Sequence, residues 1–329
     1  MDSSSDRPFR VLFAGTPETA VPSLEALVDH GFDVVAVLTR PDAPVGRRRV
    51  LTPSPVARRA ADLGIPVLKA GRLTGPDAEP VLRRIQDLDL DVAAVVAYGA
   101  LVPATGLDLP RLGWVNLHFS LLPAHRGAAP VQHAIIRGDR ATGACVFQLE
   151  PGLDTGPVFS CLERAVDPSE TAGEVLADLS RSGAELLAHT LAELRSGTAH
   201  ARPQAGEPTL APKLTQEDGR IDPSASARSV AARINGVTPE PGAWAVTQGE
   251  PAQRIKLIGA SPVDTAVQRN GGGRAPGELV ATRREVLLVC ADGAVRLDRV
   301  QPAGKKPMPA ADWLRGQPSP PRFDTGAQR

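Results

Sequence analysis

Aromatic residues and long apolar runs are scarce in this chain of 329 residues. One tyrosine, three tryptophans and seven phenylalanines leave little surface for a platform on which successive nucleic-acid bases would stack. No run approaches the roughly 20 apolar residues that cross a bilayer. The amino terminus lacks the apolar core of a secretory signal and the arginine-rich pattern of a transit peptide. We therefore expect a cytoplasmic protein with no membrane contact.

Cysteine is also rare. Cys145, Cys161 and Cys290 are far apart and odd in number, and their spacing matches neither a disulfide framework nor a set of metal ligands. We predict that all three are small buried apolar side chains and that the chain holds no metal.

Net charge is absent overall, since 37 basic and 37 acidic residues balance. The balance hides an asymmetry: residues 1–209 carry a formal charge of −5 and residues 210–329 a charge of +5. A basic carboxyl-terminal part permits a polyanionic partner there without establishing one.

Apolar runs at 10–15, 33–39 and 91–97 alternate with helical patterns over the first part of the chain. Each run is rich in valine, leucine and alanine, as strands buried on both faces are. This alternation predicts the α/β class, with a doubly wound, mostly parallel Rossmann-like sheet.

The pattern changes after an amphipathic helix that ends near 196. Residues 196–212 are rich in proline, glycine and polar residues, which predicts a linker. Short strand-like runs at close spacing follow and predict a small β-barrel. We therefore divide the chain into a catalytic domain at 1–195, a linker at 196–212 and a smaller OB-like β-barrel domain at 213–329.

Three polar residues stand where this fold binds ligands. Asn116 and His118 are two apart at the end of a predicted strand, so their side chains share a face, and Asp154 lies in a loop flanked by glycines. An amide, an imidazole and a carboxylate suit acyl transfer to an amine. Asn116 and a protonated His118 would bind the oxyanion of a tetrahedral intermediate. Asp154 would either accept the amine proton or raise the His118 pKa, and the sequence does not choose between these roles.

The segment NLHFSLLPAHRGAAP at 116–130, followed by GLDTG at 152–156, resembles the folate-dependent formyltransferases. Five more segments resemble the members of that family that act on methionyl-tRNA. These are FAGTPETAVPSLEAL near the start, RPDAPVGRRRVLTPSPV at 40–56, KLTQEDGRID at 213–222, PEPGAW at 239–244 and QPAGKKPM at 301–308.

The resemblance implies a reaction and its participants. The formyl group of 10-formyltetrahydrofolate would pass to the amino group of methionine on initiator tRNA, with Asn116, His118 and Asp154 as catalytic residues. The loop that helps hold the folate would contain Ser120, Leu121, Leu122 and Pro123. Contacts to tRNA would come from a basic loop with Arg47, Arg48 and Arg49 and from Lys305 and Lys306 in the carboxyl-terminal domain.

Two other functions remain open from the sequence. The same core would serve a formyltransferase for a small amine, or a hydrolase of the folate, but neither needs a second domain or an arginine-rich loop. A non-catalytic RNA-binding protein is the third hypothesis, and it gives no physical reason for retaining all three catalytic residues. We expect a monomer, because no long apolar seam is evident.

Overall fold

Two separate β-sheets organise the chain in a computed structural model that describes residues 7–46, 48–263, 274–282 and 285–325. One compact unit comprises Met1–Arg126, Gly143–Glu163 and Leu176–Thr209. The other comprises Gly127–Thr142, Arg164–Val175 and Leu210–Arg329. The sequence-based boundaries near 195 and 213 stay a prediction.

The strands of the amino-terminal part alternate with helices. The strands are β1 (Arg10–Gly15), β2 (Asp33–Thr39), β3 (Ala43–Val45), β4 (Val50–Thr52), β5 (Val67–Lys69), β6 (Val92–Val96), β7 (Trp114–His118), β8 (Ala141–Gln148) and β9 (Val158–Ala165). The helices are α1 (Val21–Asp29), α2 (Pro55–Asp62), α3 (Glu79–Asp87), α4 (Ala104–Leu107), α5 (Pro130–Arg137) and α6 (Ala172–Ser196).

Seven of these strands form one sheet in the order β5-β2-β1-β6-β7-β8-β9. Pairing is parallel from β5 to β7 and becomes antiparallel between β7 and β8. Val11, Leu12, Phe13 and Ala14 of β1 are all fully buried, because both faces of the sheet are covered. The predicted doubly wound, mostly parallel sheet is confirmed.

The second sheet is antiparallel and six-stranded. Its strands are β10 (Ala243–Val246), β11 (Arg254–Val263), β12 (Leu279–Ala281), β13 (Val286–Val289), β14 (Ala294–Pro302) and β15 (Met308–Pro309), accompanied by α7 (Ala227–Gly236) and α8 (Ala310–Arg315). Phe323 bridges to Thr247 beside β10, and Arg322 bridges to Glu278 beside β12. This short segment therefore joins the two edges of the sheet, as the predicted barrel requires.

Strands β3 and β4 form a hairpin that the sequence analysis described only as a loop. The hairpin is a separate two-stranded sheet, and its apolar side chains are exposed: Val45 by 57%, Val50 by 59% and Leu51 by 68%. Packing into the core of the protein therefore does not explain why this hairpin has apolar side chains.

The prediction for the cysteines is wrong for two of the three. Cys145 on β8 and Cys161 on β9 form a disulfide, because the two strands are neighbours in the sheet. Residues 16 apart in sequence come together only through that pairing, which their spacing does not reveal. Cys290 is a free buried thiol, as predicted, and burial raises its pKa to about 12.

Candidate active site

The carboxyl ends of β1, β6 and β7 meet at one edge of the seven-stranded sheet. β1 lies between β2 and β6, so the chain reverses its direction of travel across the sheet between β1 and β6. Sheets of this class bind ligands in the crevice at such a switch point. The end of β7 lies next to β6, which brings the predicted catalytic residues to the same edge.

Asn116 and His118 share a face of β7, as their spacing predicts. Asn116 is half-buried, and its side-chain amide has no hydrogen-bond partner among the residues that the structure describes. His118 is 5% exposed, and its ring meets the ring of Phe147 edge to face at 6.3 Å between centroids. The amide thus stays available to a ligand, whereas the imidazole is held firmly in the interior.

Two groups face the two nitrogens of His118. Nε2 lies 2.9 Å from the main-chain oxygen of His125, and a carbonyl only accepts, so the proton of the neutral ring resides on Nε2. Nδ1 lies 3.7 Å from Oδ2 of Asp154 and carries the lone pair. The neutral ring has no further N–H with which to bind an oxyanion.

Burial sets the charge state of this imidazole. The apolar surroundings lower the pKa of His118 below its ordinary value, and the nearby Asp154 carboxylate and the His125 carbonyl offset only part of this effect. The lowered pKa favours the neutral ring at neutral pH, and the catalytic role of His118 stays a prediction. The oxyanion-donor role expected from the sequence requires the protonated ring, which burial disfavours, and that role stays a prediction.

Asp154 lies in the loop between β8 and β9, at a left-handed φ of 51°. Its side chain is 13% exposed. The side-chain amide of Gln204 donates to the main-chain oxygens of Asp154 and Gly156, each at 2.8 Å, and so fixes the loop. Sequence reasoning missed Gln204, because nothing local marks one glutamine in a proline- and glycine-rich stretch as a partner of a distant loop.

The predicted folate loop makes a tight turn directly after β7. The hydroxyl of Ser120 is fully buried and donates to the main-chain oxygen of Ala124 at 2.6 Å, so it shapes the turn. Leu121 and Leu122 are half-buried and Pro123 is buried. Their contact with folate stays a prediction.

Four of the five predicted tRNA-contacting residues lie on exposed turns. Arg47 lies outside the described residues, while Arg48 and Arg49 are exposed in the turn between β3 and β4. Lys305 and Lys306 are exposed in the turn between β14 and β15. A contact of these side chains with tRNA also stays a prediction.

Comparisons with known proteins show the family of this chain. The family model described as formyl transferase matches residues 9–191, and the one described as formyl transferase, C-terminal domain, matches residues 213–318. A methionyl-tRNA formyltransferase of Arthrobacter sp. (strain FB24) is 57% identical over 308 residues, which cover 94% of this chain and 97% of that protein. The chain belongs to the methionyl-tRNA formyltransferase family.

A second relative supports this assignment. The methionyl-tRNA formyltransferase of Paenarthrobacter aurescens (strain TC1) is 56% identical over 313 residues, covering 95% of this chain and 98% of that protein. The family predicted from the sequence motifs is thus confirmed.

The fold of this formyltransferase recurs at much lower identity. The sugar 3N-formyl transferase WlaRD, solved in the presence of dTDP and 5-N-formyl-THF, has a TM-score of 0.66. It is 13% identical, and the match covers 91% of this chain and all of that one. No helix in the described part of the formyltransferase is long and apolar enough to cross a membrane.

Proposed function

We propose that this enzyme transfers the formyl group of 10-formyltetrahydrofolate to the α-amino group of methionyl-initiator tRNA, in the cytoplasm, for translation initiation. The observation that supports the proposed chemistry is the buried His118 ring, neutral in this proposal, whose Nδ1 lone pair faces the carboxylate of Asp154. The choice of methionyl-tRNA as the acceptor of the formyl group rests on the family, because relatives that match nearly end to end are named methionyl-tRNA formyltransferases.

In this mechanism the neutral α-amine attacks the formyl carbon and gives a tetrahedral intermediate with a negative oxygen. The side-chain amide of Asn116 donates to that oxygen. Nδ1 of His118 takes the proton that the attacking amine loses, and Asp154 stabilises the resulting imidazolium by its charge. His118 then gives the proton to N10 of the folate as the bond from the formyl carbon to N10 breaks.

The protein contributes no covalent link to the formyl group in this sequence of steps. Nε2–H of His118 stays on the His125 carbonyl throughout, which holds the ring in the tautomer that accepts at Nδ1. Between the two roles for Asp154 left open by the sequence, the geometry favours stabilisation of His118. A carboxylate 3.7 Å from Nδ1 acts through its charge, since the distance is too long for a direct hydrogen bond.

We place the folate at the switch point between β1 and β6. Ala97, with a φ of 49°, and Gly99, with a φ of 85°, turn the chain sharply after β6 and are both exposed. The main-chain oxygen of Gly99 accepts from Nη1 of Arg40 at 2.6 Å, so the main-chain groups of Ala97 are the proposed contacts to the amide-like edge of a pterin, beside the end of β7. The structure of WlaRD, determined with a formylated folate present, supports a folate donor for this fold.

The hairpin of β3 and β4 is proposed as one tRNA contact. It carries arginines in its turn and the exposed side chains of Val45, Val50 and Leu51 on its strands. Guanidinium groups bind phosphate and stack on bases, while apolar side chains suit the faces of unpaired bases. An exposed arm of this composition is well suited to the single-stranded acceptor end of a tRNA.

A basic face of the antiparallel sheet is proposed as the other contact. Trp244, Lys256 and Gln301 are cross-strand neighbours on β10, β11 and β14, and they line an open cleft of about 270 Å³. The guanidinium of Arg254 lies 3.9 Å above the ring of Trp244. The side chain of Gln301 donates to the main-chain oxygen of Lys305 at 2.9 Å, so the Lys305–Lys306 turn adjoins this face.

The charges on this face are uncompensated. Within the described residues, no carboxylate forms an ion pair with Arg254, Lys256, Lys305 or Lys306, and Trp244 adds a half-buried ring. Unpaired cations around an aromatic ring are what phosphates and an unstacked base require.

One assay tests the whole proposal. Formyl transfer from 10-formyltetrahydrofolate is measured with methionyl-initiator tRNA, free methionine and glycinamide ribonucleotide as acceptors. We expect rapid turnover with the charged tRNA alone. Turnover with a small amine would assign a different acceptor to the same catalytic residues, and release of formate alone would make the protein a hydrolase.

The tRNA contacts predict a change in salt dependence. Replacing Arg254, Lys256, Lys305 and Lys306 by glutamine should raise the apparent KM for tRNA and leave kcat nearly unchanged. Each lost phosphate contact should reduce the slope of log affinity against log salt by roughly 0.7 to 0.9. Replacing Arg48 and Arg49 by glutamine should likewise raise the apparent KM for tRNA and reduce the salt slope.

A matched control replaces Arg83 and Arg181, which are exposed on helices and paired with nearby carboxylates. That control should leave the salt slope unaltered. An equal slope in the control and in the four-residue variant would remove this face from the tRNA interface.

A further inference from the structure

The segment 202–209, here called the strap, runs across the first unit within the stretch predicted to be a linker. It begins with a two-hydrogen-bond bridge between Arg202 and Val158, with both N···O distances at 2.8 Å. From 202 to 208 every residue except Gln204 is exposed. Between 202 and 208 the strap thus turns a single side chain inward, that of Gln204.

Gln204 uses both ends of its amide. Its nitrogen donates to the main-chain oxygens of Asp154 and Gly156, and its oxygen accepts from Nη2 of Arg126 at 2.6 Å and from Nε at 3.2 Å. Arg126 follows His125 directly in the chain. One glutamine therefore links the loop that carries Asp154 to the loop that carries His125.

Thr209 fastens the other end of the strap to the same loop. Its hydroxyl accepts from the main-chain N–H of His125 at 2.8 Å, and its main-chain oxygen accepts from the N–H of Arg126 at 2.8 Å. The carbonyl of His125 is the group that accepts from Nε2 of His118. Both polar neighbours of the His118 ring are thus held by one short segment.

We propose that Gln204 is a positioning residue for formyl transfer, and that the strap sets the proton affinity of His118 by fixing Asp154 on one side of the ring and the His125 carbonyl on the other. This inference rests on the proposed catalytic roles of His118 and Asp154. It adds a segment that none of the sequence motifs contains.

The physical basis is the distance between two charges. Asp154 occupies a left-handed φ of 51°, which is uncommon for residues other than glycine, so the bonds from Gln204 help to hold the loop in this conformation. Without the two bonds from Gln204 the loop relaxes, and the carboxylate moves away from Nδ1. The charged and titratable groups that act on His118 are the Asp154 carboxylate and the His125 ring, so a more distant carboxylate leaves the His125 carbonyl as the remaining group that stabilises the imidazolium.

The test compares Gln204→Ala and Gln204→Glu with the wild-type full-length enzyme. Glutamate keeps an acceptor for Arg126 but has no donor for the two carbonyls. If the donor pair positions Asp154, both variants should lose about 10-fold in kcat, with the KM values for tRNA and folate nearly unchanged. The acid limb of the kcat profile should move to lower pH, because a more distant carboxylate lowers the pKa of His118.

A titration of the ligand-free protein gives a second readout that does not depend on the acceptor. The chain has six histidines, and comparison with His118→Gln assigns the His118 signal in an NMR titration. Gln204→Ala should titrate His118 at lower pH than the wild type. This result would stand even if methionyl-tRNA proved to be the wrong substrate, so it separates this inference from the proposed function.

Glu207→Gln is the matched control, since Glu207 lies exposed in the same strap. It should leave kcat, the acid limb and the His118 titration unchanged. Two results would overturn the proposal: wild-type kcat in Gln204→Ala, or a loss of kcat accompanied by a lower melting temperature and an unshifted His118 titration. The latter would mean that Gln204 only stabilises the fold.

Discussion

Replacing His118 by glutamine should lower kcat for formyl transfer by 10²- to 10⁴-fold, the range that loss of a general base produces. The glutamine side chain has a similar size and an N–H for the His125 carbonyl, but it cannot accept a proton from the amine. Because the ring meets only the reacting amine and neither of the two proposed tRNA-binding surfaces, the apparent KM for tRNA should change little. Single-turnover kinetics with saturating folate measure the chemical step directly.

His189 provides the control for that variant. It lies exposed on α6, where Nδ1 contacts the main-chain oxygen of Glu185 at 2.7 Å. Its replacement by glutamine should leave turnover unaltered. Wild-type turnover in the His118 variant would remove the imidazole from the mechanism and leave the proton with Asp154 or water.

Asp154→Asn should lower kcat by roughly 10- to 100-fold and move the acid limb of its pH profile downward. The carboxylate raises the pKa of His118, so its removal lowers that pKa further. Turnover requires the neutral ring, and the acid limb of the wild type should already lie below the ordinary imidazole pKa of about 6.5. The variant is slower because the imidazolium formed during the reaction loses its counter-charge.

The direction of that shift separates the two roles of Asp154. If the carboxylate only tunes His118, the variant keeps a measurable acid limb at lower pH. If Asp154 itself accepts the proton, the variant loses the acid limb of its kcat profile. Its residual rate then no longer depends on the protonation state of the His118 ring. Rate measurements between pH 4.5 and 8 in one buffer series would decide, at about constant ionic strength.

The sequence was sufficient for the parts of this molecule that depend on local pattern. Apolar runs predicted the buried strands, and a two-residue spacing placed Asn116 and His118 on one face of β7. Prediction from the sequence failed where segments that are distant in the chain come into contact. The pairing of Cys145 with Cys161 depends on β8 and β9 being neighbours, and the neutral state of His118 depends on burial that no local pattern records.

The scarcity of aromatic residues in the composition does not tell where each ring lies. The chain has few aromatic residues, yet Trp244 stands on a basic face with Arg254 against its ring. One ring at a suitable place is enough to receive one unstacked base, whereas a count describes only the total. The position of a residue in the sheet therefore carried information that its frequency did not.

The strap has a practical consequence for dividing the protein into fragments. A truncation after residue 195, at the boundary suggested by composition, would delete Gln204 and Thr209 and with them the fastenings of the Asp154 and His125 loops. A catalytic fragment has to continue through Thr209 to keep these bonds. An insert directly after that residue would still disturb Ala211, which is fully buried and whose main-chain oxygen accepts from the N–H of Ala129 at 3.1 Å.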